Sequence, residues 1–241
     1  MLAHDVRKPD VALLVTCEHG GNRVPSEYKE WFADADNVLG SHRGYDLGAL
    51  AMARTLTGRL DAQLIFATVS RLVVELNRST RNPRLFSSFI RQAPAPIRRE
   101  IFERYYIPYW ASVQAAVHRA LERRARVVHV GSHSFTSVLD GRVRDADIGL
   151  LYDPGRAKEV ALCTHWRDAI RRRAPQWHVR RNYPYAGAGD GLTTELRRRF
   201  PPTQYIGVEL ELNQRHPLTG GSTWKTMQRE VAAALGDALE A

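Results

Sequence analysis

The sequence has little cysteine and no long apolar run, and both absences narrow the possible classes of protein. Two cysteines among 241 residues, Cys17 and Cys163, are too few for a disulfide framework and fit a reducing compartment. No apolar run approaches the ~18 residues that a membrane-spanning helix requires. The first residues, Met1 to Lys8, also lack the apolar centre of a signal peptide. We therefore expect a cytoplasmic protein without a membrane partner.

Three short motifs of nucleotide and metal sites are missing as well. The sequence contains no GxxxxGK[ST] loop, no CxxC pair and no HExxH helix. Nucleotide hydrolysis of the P-loop type and zinc chemistry built on one helix therefore have no support.

Lysine is scarce, although the chain is basic. Only Lys8, Lys29, Lys158 and Lys225 occur, so arginine supplies most of the formal net charge of +9. Many arginines, Arg197 among them, fall on predicted helix surfaces, where solvated side chains are a sufficient explanation. We therefore do not expect a nucleic-acid partner, although the positive field raises the local concentration of small anionic substrates.

Apolar runs typical of buried strands alternate with amphipathic helical patterns along the chain. A composition of 44% hydrophobic and 25% charged residues supports a packed core. Residues 11–15 and 127–130 are typical of strands buried on both faces, and residues 72–76 of a further short strand. Residues 46–60 place their apolar side chains on one helical face. This alternation predicts a single α/β domain over residues 1–241, with a mainly parallel, helix-covered sheet.

Two histidines follow predicted strands. His19 comes after the first strand, beside two glycines, and His133 comes after residues 127–130. Ligands bind beyond the carboxyl ends of the strands in such sheets, so these two imidazoles can meet at one site. Zinc is bound by imidazole together with carboxylate groups. The pattern predicts a metal site at this edge of the sheet.

The third metal ligand stays open on spacing alone. Glu18, Asn22 and Asp46 are the candidates. Glu18 points away from His19 if both lie on extended backbone. Asp46 also fits the N-terminal cap of the helix over residues 46–60.

Two arginines and two glutamates complete the candidate site. Arg71 and Arg78, which Asn77 precedes, can bind carboxylate through paired N–H groups, although surface salt bridges explain them too. Glu75 interrupts the apolar run beside them, and we expect it to pair with one of these arginines. Glu209 and Glu211 share one face of a late apolar strand, unless that strand is an edge strand facing solvent.

Two loop-like segments offer further contacts to a substrate. Arg144 lies in the first of them, residues 142–149, and Tyr185 in the second, residues 182–191, which contains three glycines. Tyr185 can donate a hydrogen bond, and Arg144 can contact an anion or remain exposed to solvent.

The chain resembles the N-formylglutamate amidohydrolase family in motifs that occur in the family's order along nearly the whole sequence. The motifs that carry the resemblance are Cys17-Glu18-His19-Gly20-Gly21-Asn22, His42 with Tyr45-Asp46-Leu47-Gly48, Ser70-Arg71-Leu72-Val73-Val74-Glu75-Leu76-Asn77-Arg78, His133-Ser134-Phe135-Thr136, Arg144 to Pro154, Asn182-Tyr183-Pro184-Tyr185 and Gly207 to Asn213. The resemblance implies a phosphorylase/hydrolase-like fold similar to that of the zinc carboxypeptidases. Such a fold has a mixed, mostly parallel sheet of about eight strands flanked by helices.

The same resemblance implies a role for each motif residue. His19 and His133 would bind one zinc ion, and Arg71 would polarise the scissile carbonyl. Asn77 and Arg78 would hold the substrate carboxylate, and Glu209 would act as the general base.

Two positions depart from the family pattern. Zinc carboxypeptidases place a glutamate three residues after the first histidine, where this chain has Asn22, and we therefore favour Asp46 over Glu18 as the third ligand. The family has a proline before its first motif histidine, whereas this chain has Glu18. The chain therefore resembles a divergent subgroup.

The hypothesis from the sequence is a zinc-dependent hydrolase that cleaves the amide bond of a small anionic N-acyl amino acid, such as N-formyl-glutamate. One alternative is a metallohydrolase for small peptides or cell-wall amides. Another is a non-catalytic protein that binds anions or nucleic acid through its basic surface.

Overall fold

The computed structural model describes residues 10–241, so the expectation for Met1 to Lys8 lies outside the described residues. Within this range the strands are β1 (Val11–Cys17), β2 (Ala62–Phe66), β3 (Arg126–Phe135), β4 (Val138–Leu139), β5 (Arg142–Val143), β6 (Ile148–Leu151), β7 (Val179–Arg181) and β8 (Tyr205–Asn213). The α-helices are α1 (Asp36–Leu39), α2 (Ala49–Arg59), α3 (Ser88–Arg91), α4 (Ala95–Ile101), α5 (Ile107–Leu121), α6 (Ala157–Arg173), α7 (Leu192–Arg199), α8 (Arg215–Thr219) and α9 (Gly221–Glu240). A 3-10 helix covers Ser26–Phe32, and a π-helical turn, Phe102–Tyr106, joins α4 to α5.

Six strands form one mixed sheet in the order β2-β1-β3-β8-β6-β7. Neighbouring strands are parallel except at the β8–β6 pair. The predicted α/β class with a mostly parallel sheet is therefore confirmed. The expected number of eight strands is reached among the described residues only by adding the separate β4–β5 hairpin.

Helices cover both faces of the sheet, and each face has its own apolar cluster. One cluster joins the sheet to α2, α6 and α9, and includes Met52, Trp166 and Leu235. The other joins it to the 3-10 helix, α5 and α7. No helix among residues 10–241 has the length and apolar character needed to cross a bilayer.

Two local predictions were wrong. Residues 72–76 form turns rather than a strand, although all five are buried. A short apolar run does not by itself distinguish a strand from another buried segment. Arg197 is not on a solvated helix face, because it is buried and donates to Glu159 from Nε at 3.0 Å.

The strand order places a functional edge between β1 and β3. The chain passes from β1 to β2 on one side of β1 and later returns to add β3 on the other side. At such a reversal the connections leave in opposite directions and open a crevice at the carboxyl ends of the strands. His19 follows β1, and His133 lies near the end of β3, at this crevice.

Candidate metal centre and active site

The backbone around the crevice holds three segments together. His19 lies two residues beyond the end of β1. Its carbonyl oxygen accepts a hydrogen bond from the backbone N–H of Asp46 at 2.9 Å. Ser134 of β3 donates to the carbonyl oxygen of Leu47 at 2.8 Å. At Gly20, an added Cβ would lie only 2.8 Å from the carbonyl oxygen of Ala67, so the close approach of the neighbouring loop requires glycine. The loop before α2 is thereby fixed between the ends of β1 and β3.

His19, Asp46 and His133 form a buried cluster in which each residue offers one ligand atom within 4.8 Å of the others. The Nδ1 atoms of His19 and His133 lie 3.2 Å and 2.9 Å from the same oxygen, Oδ2 of Asp46. Ligand atoms of a tetrahedral zinc ion lie about 3.4 Å apart, given metal–ligand distances of about 2.1 Å. Two imidazoles and one carboxylate are also a donor set of catalytic zinc sites. The cluster therefore fits a zinc ion in both chemistry and spacing.

Asp46 is not the helix cap that the sequence also allowed. The N-cap of α2 is Gly48, whose φ of 82° suits glycine. The carboxylate of Asp46 instead contacts both histidines and accepts a hydrogen bond from Arg71 at 3.1 Å. Burial alone would raise the pKa of Asp46, but His19, His133 and Arg71 hold it well below its usual range.

The other two candidates for the third ligand lie elsewhere. Asn22 is exposed and donates to the carbonyl oxygen of Leu39 at 3.2 Å, away from the cluster. Glu18 is buried, with Oε2 3.1 Å from Nε2 of His133 and Oε1 accepting from Tyr109 at 2.7 Å. Glu18 therefore contacts the ring nitrogen of His133 that does not face Asp46.

A second carboxylate holds His19 in the same manner. Oε1 of Glu75 accepts a short hydrogen bond from Nε2 of His19, while Oε2 accepts from Nε of Arg71 at 2.9 Å. The expected pairing of Glu75 with an arginine is confirmed, but its contact with His19 was not foreseen. The signal in the sequence for a buried role of Glu75 was its charge within an otherwise apolar run, residues 72–76. Carboxylates that hold the outer nitrogen of a histidine fix its tautomer and the direction of its inner nitrogen.

We expect Glu18→Gln to weaken zinc binding about 10- to 100-fold, the usual effect of losing an outer partner of a metal ligand. Burial alone would raise the pKa of Glu18, but His133 lowers it to about 2, so the wild-type side chain is an anion at neutral pH. Competition with a fluorescent zinc chelator measures the change. The exposed Glu30→Gln variant is the control, and equal affinities of the two variants would contradict the role of Glu18.

A cleft of about 350 Å³ opens beside the cluster. Of the predicted site residues, those that line it are His19, Asp46, Arg71, Asn77, Arg78, His133, Tyr185 and Glu209. Glu211, which the sequence analysis placed in the site without a separate role, also lines it. The other ionisable residues of the lining are His42, Arg84 and Asp190, to which the sequence analysis gave no role. The structure thus brings together most of the predicted residues, whose chemical roles stay predictions.

Arg144 lies behind Tyr185 rather than on the described wall of the cleft. Its NH1 donates to the hydroxyl of Tyr185 at 3.1 Å, and its guanidinium carbon lies 5.1 Å from the centre of that ring. Arg144 therefore contacts a residue of the cleft wall, Tyr185, and is not itself among the described lining residues.

The two glutamates of β8 lie in different surroundings. Oε1 of Glu209 accepts hydrogen bonds from Asn77 at 3.4 Å and from Thr193 at 3.2 Å. Glu211 is buried beside His133 on the neighbouring strand, and its Oε2 has no hydrogen-bond partner among residues 10–241. Burial and the nearby charges of Asp46 and Glu209 raise the pKa of Glu211 to about 8, although His133 and Arg71 oppose the shift.

Comparison with known proteins places the chain in a family. A family model described as N-formylglutamate amidohydrolase matches residues 11–216. A gene product of Agrobacterium tumefaciens is similar in structure, with a TM-score of 0.76 and 29% identity over 97% of this chain and 91% of that one. No curated protein sequence matches the chain.

Two more distant solved structures also align with the chain. The N-formylglutamate amidohydrolase of Ralstonia eutropha JMP134 aligns with a TM-score of 0.63 and 20% identity, over 95% of this chain and 92% of that one. A metallo-carboxypeptidase of Burkholderia cenocepacia aligns with a TM-score of 0.39 and 12% identity, over 98% of this chain and 57% of that one. Since the family model covers residues 11–216 of 241, the chain belongs to the N-formylglutamate amidohydrolase family.

Proposed function

We propose that the protein is a zinc-dependent hydrolase that cleaves the amide bond of an N-acyl amino acid, with N-formyl-L-glutamate as the first substrate to test. One observation carries the proposal: the His19–Asp46–His133 cluster lines the same cleft as Arg71 and Arg78. Family membership supports the amide as the bond that is cleaved. The expected partner is a small anionic substrate.

His19, Asp46 and His133 would hold one zinc ion. Zinc bound there would supply Lewis acidity and lower the pKa of a water molecule toward about 7. Glu75 and Glu18 keep the Nδ1 atoms of the two histidines directed at the site.

Glu211, rather than the expected Glu209, is our choice for the general base. A general base needs a free oxygen and a pKa near the working pH. Oε2 of Glu211 is buried without a partner among the described residues, and the pKa of this carboxyl is raised to about 8. Glu209 keeps Oε2 for such a role, but Asn77 and Thr193 hold its carboxylate through Oε1. Glu211 takes a proton from the attacking water as its oxygen bonds to the acyl carbon. The proton then passes to the leaving nitrogen as the C–N bond breaks, which yields formate and the free amino acid.

Arg71 and Arg78 would stabilise the charges of the substrate. Three of the five N–H donors of Arg71 are used by Asp46 and Glu75, which leaves two for the oxyanion that forms at the acyl carbon. Arg78 donates to the carbonyl oxygen of Asp190, and its other donors can hold the α-carboxylate. Asn77 orients Glu209 and the start of α7, so we propose that it acts beside the carboxylate site.

Formate release by the zinc-loaded protein tests the function. We expect turnover of N-formyl-L-glutamate, its loss after chelation and its recovery with one equivalent of zinc. N-acetyl amino acids, short peptides and a muramoyl-type amide complete the panel. Turnover of the last two alone would instead support a peptide or cell-wall amide hydrolase. Metal-free binding of polyanions without hydrolysis of any substrate would contradict an enzymatic role.

A further inference from the structure

Arg84 stands apart from the other arginines of the cleft. Arg71 pairs with Asp46 and Glu75, and Arg78 donates to a backbone carbonyl. Arg84 also lines the cleft, but its side chain is exposed and has no hydrogen-bond or ion-pair partner among residues 10–241. The cleft therefore contains a cation whose charge no contact within the described chain neutralises.

Hydrogen bonds hold the backbone at Arg84 and Leu85, and they fix the point from which the side chain of Arg84 extends. Its N–H donates to Oδ1 of Asn82 at 2.8 Å, and the next residue, Leu85, is buried and donates its N–H to the carbonyl oxygen of Asn82 at 3.1 Å. The carbonyl oxygen of Leu85 accepts from the N–H of Glu75 at 2.9 Å. The turn that presents Arg84 is thus joined directly to the residue that holds His19.

A nearby carboxylate is already used by neutral donors. Asp190 accepts from Nδ2 of Asn82 at 2.6 Å and from the backbone N–H of Ser79 at 3.3 Å. The arginine whose charge acts on Asp190 is Arg78 rather than Arg84, although Asp190 and Arg84 both line the cleft. These contacts hold the glycine-rich segment, residues 186–191, against the turn and leave Arg84 available.

We infer that Arg84 binds a second carboxylate of the substrate and makes the enzyme selective for N-acyl amino acids with an acidic side chain. This inference rests on the proposed function and assigns Arg78 to one carboxylate and Arg84 to the other. A guanidinium that gains a carboxylate partner forms paired, charge-assisted hydrogen bonds with it. Besides Arg71, which is paired with Asp46 and Glu75, the cleft offers two arginines for the two carboxylates of such a substrate.

The test compares N-formyl-L-glutamate with its neutral isostere N-formyl-L-glutamine. For the wild type, the ratio of kcat/KM for the acidic substrate to that for the neutral substrate should exceed one. We expect Arg84→Ala to reduce this ratio about 10-fold or more, since 1.4 kcal/mol corresponds to a factor of ten. Arg84→Lys should give an intermediate ratio, because it keeps the charge but loses the paired N–H groups.

Arg81→Ala is the matched control, because Arg81 is exposed on the same loop and is absent from the described lining of the cleft. Its ratio should equal that of the wild type. If Arg84→Ala keeps the wild-type ratio, or lowers both activities equally, the inference is wrong while the proposed function stands. If the wild-type protein hydrolyses no N-formyl amino acid, the proposed function and this inference both fail. Circular dichroism of each variant checks that it is folded.

Discussion

Replacement of Glu211 by glutamine is expected to lower kcat about 10²- to 10⁴-fold while the protein keeps its zinc. This range is the usual contribution of a positioned general base. Glutamine has nearly the same volume but cannot accept the proton of the attacking water. His19, Asp46 and His133 are unchanged in the variant, so metal analysis should find the same zinc content as in the wild type.

Glu209→Gln is the control that separates the two carboxylates of β8. Glu209 already accepts hydrogen bonds from Asn77 and Thr193, and an amide oxygen can accept the same bonds. We expect its kcat to fall less than about 10-fold. The reverse pattern, with Glu209→Gln nearly inactive and Glu211→Gln active, would assign the base to Glu209, as the sequence resemblance implied.

Stability measurements give a second test of Glu211. Because burial raises its pKa to about 8, the folded protein binds this proton more tightly than the unfolded chain does. Glu211 therefore contributes less stability as the pH rises through about 8. In metal-free protein at pH 9, Glu211→Gln should unfold at an equal or higher urea concentration than the wild type.

Replacement of Asp46 by asparagine is expected to remove the metal and to destabilise the metal-free fold. Loss of an outer partner costs about 10- to 100-fold in metal affinity, and loss of a direct ligand should cost more. Asp46 also neutralises His19, His133 and Arg71 in a buried setting. Loss of one partner of a buried ionic cluster costs about 3–5 kcal/mol.

Two measurements follow Asp46→Asn. Zinc content by mass spectrometry reports the metal, and urea unfolding of chelator-treated protein reports the free energy of unfolding. The exposed Asp36→Asn variant is the control. A variant at position 46 with full zinc content and wild-type stability would remove Asp46 from the metal centre.

The sequence was informative where strand periodicity and side-chain chemistry agreed. The apolar runs before His19 and around His133 and Glu209 predicted both the parallel sheet and the edge at which these side chains meet. Asp46 was favoured only through the resemblance, because its spacing fits a helix cap equally well. The choice between these roles depends on the loop that carries Asp46 to the end of β3.

Other features could not be predicted because they depend on long-range contacts. Residues 72–76 have the composition of a strand but form turns, since the 82–85 turn and the second apolar cluster hold them. The antiparallel pairing of β6 with β8 is not indicated by the apolar pattern of β6, which is the same for either direction of the strand. The roles of Glu18 and Glu75 as partners of the two histidines require the three-dimensional position of each ring.

The proposed metal ligands and base lie on or beside neighbouring strands, whereas the groups assigned to substrate recognition lie on the loops around residues 78–84 and 185–190. A strand of a sheet cannot shift its register by one residue without exchanging the side chains of its two faces. The sheet therefore constrains the positions of the proposed metal ligands and base. The loops carry no such constraint. Exchange of these two loops between members of the family is therefore the direct route to new substrates on an unaltered metal centre.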